Sequence, residues 1–153
     1  MNFTVPSVAA FWAGWFAMSI AMANLSGWRT LAARFAPAVP AHGQRFLFVT
    51  GAVSQWPWLP VQYLLTFVLT INAEGFRMAV LFTMRLQHAP FMVPWAAVSS
   101  LRQEPFLGVF RQTVVTVGDR TIIVRGRAGK ALVRAWQAYQ GMGTTRLEML
   151  SKD

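Results

Sequence analysis

The sequence predicts a mainly β chain with α elements: an N-terminal hydrophobic helix, then an antiparallel sheet of six or seven strands, closed by a C-terminal amphipathic helix. Three observations carry this. No charged side chain precedes Arg29. Two long central runs alternate apolar and polar residues with period two and are separated by a turn-forming tetrapeptide. Near the C-terminus, apolar residues recur at helical spacing.

A chain of 153 residues suits one domain with one appended element. Its residues are 55% hydrophobic and only 12% charged, against roughly 25% charged in a soluble domain. Part of the chain is therefore expected to face something other than water. Fourteen Lys and Arg against five Asp and Glu leave a net charge of +9, which calls for an anionic partner, phospholipid headgroups or nucleic acid. The cations are spread from Arg29 to Lys152 and form no dense tail, so a phospholipid membrane is the expected partner and nucleic acid is not. With no cysteine there is no disulfide, thiolate nucleophile or thiolate metal site.

Residues 1–28 are expected to be a hydrophobic helix. The stretch "VAAFWAGWFAMSIAMA" (8–23) gives ~24 Å of helix and Pro6 to Trp28 gives ~34 Å, against a hydrocarbon core of about 30 Å. A single span follows, with Trp12, Trp15 and Trp28 as interfacial rings and Arg29 and Arg34 just beyond it. That charge asymmetry places the C-terminal domain on the cytoplasmic side of the inner membrane. Two other readings stay open. A cleaved signal peptide would leave a secreted β-domain; "AMA" (21–23) suits cleavage, although "MNFTVPS" has no basic residue. A buried or in-plane helix fits the polar dilution by Gly14, Ser19 and Asn24.

Residues 29–44 are read as a short interfacial helix and a linker. Ser26 is placed to cap a helix with Trp28, Leu31, Ala32 and Phe35 on one side, and "APAVPAHGQ" (36–44) follows as linker. "RFLFVTGAV" (45–53) is the first strand. In "VQYLLTFVLTI" (61–71) every odd position is apolar, and "FRMAVLFTMRL" (76–86) sets Phe76, Met78, Val80, Phe82, Met84 and Leu86 on one face. The "NAEG" between them (72–75) predicts a tight turn and an antiparallel hairpin. "FMVPWAAVSSL" (91–101) is a shorter strand whose Pro94 favours an edge. A further strand is expected near "GVFRQ" (108–112), and "TVVTV" and "TIIVRG" flank a turn at "GDR" (118–120). The helix "GKALVRAWQAYQ" (129–140) carries Leu132, Ala135, Trp136 and Tyr139 on one stripe, with Lys130, Arg134 and Gln137 away from it. Residues 141–153 are expected to be a flexible tail.

Strands followed by a single closing helix resemble pleckstrin-homology-like domains, including their GRAM-type and bacterial members. The likeness covers residues 45–140, and "LTINAEGFRMAV" and "HAPFMVPWAAVSSL" are its most similar segments. It implies a strongly bent seven-stranded sheet, capped at one end by the helix, that binds lipids or proteins. Phosphoinositide-binding members carry basic residues in the loop between their first two strands; here "AVSQWPWLP" (52–60) has none. Trp56 and Trp58 of that loop are expected to enter an interface or to close the open end of the sheet.

Catalysis needs convergent polar groups, and the chain offers His42, His88, three Glu and two Asp at wide spacing. Glu74 and Asp119 fall in turns, and there is no phosphate loop, nucleophile elbow or zinc helix. No catalytic residue, metal or cofactor is therefore expected, and the chain is read as a non-enzyme. A basic set remains: Arg111, Arg120, Arg125, Arg127 and Lys130. Arg125 and Arg127 are expected on one strand face, flanked by Arg120 and Lys130, as an anionic-surface contact or a solvated face. The function expected is a membrane-anchored, PH-like binding or scaffolding module on the cytoplasmic face. A second reading is a small accessory subunit of a membrane complex, packed through Ala13, Gly14, Ala17 and Ala21.

Overall fold

The computed structural model describes residues 5–36, 42–56, 59–81, 85 and 87–150, with side chains between residues 8 and 142 of these. Helix α1 (Val5–Leu25) and the short α2 (Trp28–Arg34) precede strands β1 (Gln44–Ser54), β2 (Val61–Ile71), β3 (Gly75–Val80), β4 (Phe91–Pro94), β5 (Ser100–Phe106), β6 (Phe110–Val117) and β7 (Arg120–Arg125). Helix α3 (Gly126–Leu150) follows. The strands form one antiparallel sheet in the order β4-β3-β2-β1-β7-β6-β5. It curls into a half-barrel, an architecture compatible with a PH-like fold.

Alternation places Phe67, Leu69 and Ile71 of β2 and Phe76, Met78 and Val80 of β3 in the core. Cross-strand partners Phe46, Leu69 and Met78 share the inner face, and the next row, Arg45, Thr70 and Arg77, lies on the outer face. The alternation fails at one expected position. Leu65 is 60% exposed, because β1 and β2 slip register between Phe46 and Gly51, where Phe48 (φ 54) and Leu65 (φ 52) turn into the left-handed region. Bulges of this kind bend a strand pair. The Leu65 N–H instead donates to Thr50 Oγ1 (3.2 Å).

Two strand expectations are corrected. Residues 91–101 are not one strand: β4 ends at Pro94, a 3-10 turn Trp95–Ala97 follows, and β5 starts at Ser100. The Trp95 ring is buried there and its Nε1 donates to the Asn72 carbonyl (3.1 Å), which pulls the chain out of the sheet. Strand β5 itself was not anticipated, since Arg102, Glu104 and Pro105 break the pattern, as an edge strand can. Strand β3 ends at Val80, and residues 82–84 and 86 of the expected longer strand lie outside the described residues. The expected turn is present: Asn72 Oδ1 accepts from the N–H groups of Glu74 (3.1 Å) and Gly75 (2.8 Å).

Helix α2 does not form an interfacial collar. Trp28, Leu31 and Ala32 are buried in the hydrophobic core. The Trp28 ring packs against Tyr63, Phe67, His88 and Phe91 at centroid distances of 4.8 to 5.9 Å, and its Nε1 donates to the Ala89 carbonyl (2.8 Å). Trp28 is thus a core residue and not a membrane ring. Its backbone N–H donates to Ser26 Oγ (3.2 Å), but the residue that caps α2 is Gly27, which has no side chain to do so, and not Ser26 as expected. At the other end of α2, the Met92 N–H donates to the Phe35 carbonyl (2.8 Å), tying the helix to edge strand β4. Helix α3 is longer than expected, running to Leu150 where a flexible tail was predicted. Its first turn can lie on β6 and β7 because residue 129 is Gly: a Cβ there would stand 2.6 Å from Thr113 Oγ1 and 2.7 Å from the Val124 carbonyl oxygen.

Candidate functional site

Leu132 and Ala128 anchor α3 in the core, and further along, the helix and the far ends of β1 and β2 enclose a groove of about 680 Å³. Ala131, Ala135 and Ala138 repeat at i, i+4 and i+7 along the helical wall. Their short side chains leave the space that larger residues would fill. Phe46, Ile71 and Trp95 line the groove from the sheet side, and Tyr139 and Met142 continue the helical wall. Arg127, Lys130 and Arg134 add three cations, and among the described residues none that lines the groove is acidic. An apolar trough with cations and no carboxylate suits a ligand that has an apolar body and an anionic group.

The anticipated basic set is not one surface. Arg127 and Lys130 border the groove. Arg125 and Arg127 do not share a strand face, because β7 ends at Arg125 and Gly126 (φ 73) turns the chain into α3. The Arg125 guanidinium lies over the Phe106 ring, 4.1 Å from its centroid. Arg120, at the opposite end of β7, donates through Nη1 to Gln55 Oε1 (2.9 Å) and pairs with Asp119 (3.4 Å). Five residue steps of strand set it ~17 Å from Arg125. Arg111 is exposed beside the β5–β6 turn, where Leu107, Val109 and Phe110 are 77%, 87% and 66% exposed.

The α1 end of the molecule is built differently. Val8, Phe11, Trp12, Phe16, Met18 and Ile20 are exposed, while Ser19 and Ala23 are buried. Only 11% of the apolar window Val8–Leu25 is buried, and by length and composition it is long enough to cross a membrane. Trp15 is half-buried, and Arg29 and Arg34 are exposed. Gly27 (φ 76) makes the corner between α1 and α2. A Cβ there would stand 3.0 Å from both Gln55 Cβ and Arg120 Nη1, so the corner is pressed against the β1–β2 loop. Trp56, next in that loop, is 40% exposed on this side, and Ser54 Oγ donates to the Trp56 carbonyl. Trp58 lies outside the described residues.

A buried polar knot joins this end to the core. The Tyr63 hydroxyl lies 3.0 Å from His88 Nε2, 3.1 Å from Ser26 Oγ and 3.4 Å from the Met22 carbonyl oxygen. Burial pushes the Tyr63 hydroxyl up from 10.0 to about 12, with the Ser26 contact opposing it. His88 is buried and His42 is exposed, and among the described residues no three His, Asp or Glu side chains group to hold a metal ion.

Sequence reasoning singled out Arg127 and Lys130 as candidate contacts, placed Arg134 and Tyr139 only on the faces of a helix, and did not find the groove. The alanine row was the available signal. Phe46, Ile71 and Trp95 were hidden from it, since their approach to α3 depends on the curl of the sheet. The fold and groove define a small curled-sheet module with one closing helix. Compared with known proteins, the chain matches no family model, and no curated protein is similar to it.

Proposed function

We propose that this chain is a non-enzymatic, membrane-anchored, PH-like binding module whose α3 groove holds a ligand with an anionic group and an apolar body. The observation that carries the reading is the pairing of two unlike surfaces. One is an α1 helix left apolar on its exposed sides; the other is a groove walled by alanines and aromatics and supplied with Arg127, Lys130 and Arg134. Helix α1 leaves beside Tyr63, and the groove begins at Ile71, eight residue steps or ~26 Å along β2. With α1 spanning and the domain cytoplasmic, the groove stands off the bilayer and takes its ligand from the aqueous side. Arg29, Arg34 and Trp56 belong to the end that meets the headgroups.

The test is a titration of the full chain, held in nanodiscs of zwitterionic lipid, with decyl phosphate as probe. The reading predicts saturable binding that Ala138→Trp and Lys130→Glu each weaken. Equal uptake by wild type and both variants contradicts it. The exposed Leu107, Val109 and Phe110 favour a second reading, a small accessory subunit that docks through this hairpin tip. A chain that runs as a lone monomer in mild detergent and captures no membrane protein overturns that reading.

A further inference from the structure

Across β1, β2 and β3, the outer-face row Arg45, Thr70, Arg77 puts two arginines on either side of a threonine. Directly paired side chains stand about 5 Å apart, so the two arginine Cβ atoms flank Thr70 across ~10 Å, a span that two guanidinium groups can close onto one small anion. Arg85 joins them from beyond the end of β3, and the three enclose a cavity of about 270 Å³ over Thr70, Val68 and Ala79.

Three features set this place apart from a solvated sheet face. Val68 and Thr70 are on the outer side of the sheet, yet only 8% and 7% exposed. Arg77 Nε is buried and has no hydrogen-bond partner among the described residues. Arg77 itself is half-buried, and no carboxylate among the described residues lines the cavity to pair with it. Three like charges that share a recess repel one another, and a bound oxyanion converts that repulsion into charge-assisted hydrogen bonds.

We propose that Arg45, Arg77 and Arg85 form a binding site for a phosphate group, the Thr70 hydroxyl lying at its floor. Its size admits the phosphate of a monoester. Among the described residues no aromatic ring lines it to offer the stacking surface of a single-stranded nucleic-acid site. The site is separate from the α3 groove, with which it shares no lining residue. The phosphate can be free in solution or the headgroup of a phosphomonoester lipid, since the recognising chemistry is the same.

The full chain in zwitterionic nanodiscs is titrated calorimetrically with inorganic phosphate and with glycerol 3-phosphate. It is then titrated with vesicles of phosphatidylcholine, with and without phosphatidic acid. Arg77→Gln and Arg45→Gln are each expected to weaken phosphate binding by about tenfold or more, the effect of losing a charge-assisted hydrogen bond. Arg102→Gln, which removes an exposed charge elsewhere, and Lys130→Glu in the groove should change it little. Thermal melting of both cavity variants, expected to remain cooperative and no lower than wild type, separates lost binding from lost folding. A phosphatidic acid preference that Arg77→Gln abolishes assigns the site to a lipid headgroup; binding of the soluble phosphates alone, lost in the same variant, assigns it to a soluble ligand. Failure of phosphate, glycerol 3-phosphate and phosphatidic acid to bind overturns the proposal, as does equal weakening by Arg102→Gln.

Discussion

The Tyr63 hydroxyl and His88 Nε2 stand 3.0 Å apart in the core, each side chain only 1% exposed. Ser26, from the corner between α1 and α2, completes the contact. The apolar helix and the sheet are thereby joined by polar groups that water cannot reach. Replacing Tyr63 with Phe keeps the ring and removes the hydroxyl, leaving buried polar partners short of one hydrogen bond. Chemical denaturation should show a loss of about 1–3 kcal/mol.

The same hydroxyl sets a pH dependence. Its value is raised from 10.0 to about 12 in the folded chain, so the unfolded chain releases this proton first. The Tyr63 contribution is intact below pH 10 and is lost as pH rises towards 12, by about 2–3 kcal/mol in all. Tyr63→Phe should remove this component of the alkaline loss of stability.

Core and surface tryptophans should separate cleanly. Trp28 is fully buried, and Trp28→Ala is expected to cost about 3–5 kcal/mol of domain stability. Trp12 is 50% exposed on α1, and Trp12→Ala should leave the denaturation midpoint of the domain unchanged. Thermal melts of the two variants in the same detergent measure the contrast.

The fold was legible where packing follows local periodicity. Strand β2 and the hairpin turn at Asn72 were readable because alternation and turn chemistry are properties of adjacent residues. Trp28 was misread because a tryptophan following an apolar helix suits a headgroup interface as well as a core, and only the return of β2 and β4 over it decides between them. The cavity was invisible for a similar reason: Thr70 and Arg77 flank the legible hairpin turn, but Arg45 is distant in the chain, and only the register of β1 on β2 brings it into their row.

Gly51 is a sharp test of that register. A Cβ at this position would stand 2.1 Å from the Ile123 carbonyl oxygen and 2.9 Å from the Phe67 ring. Gly51→Ala must therefore spread β1 from β7 or displace Phe67, at a cost of about 1–3 kcal/mol. Equilibrium unfolding should show it, and hydrogen exchange should localise the weakening to β1 and its neighbours.

The chain contains no cysteine, so single cysteines report on topology without background. The most direct test of the anchored module is labelling of Trp12→Cys, Met18→Cys and Gly141→Cys by a membrane-impermeant maleimide, in intact cells and in inside-out vesicles. The account predicts that Trp12→Cys and Met18→Cys stay unlabelled until detergent is added, and that Gly141→Cys is labelled in inside-out vesicles alone. Labelling of positions 12 and 18 without detergent, or of position 141 from outside intact cells, would contradict it.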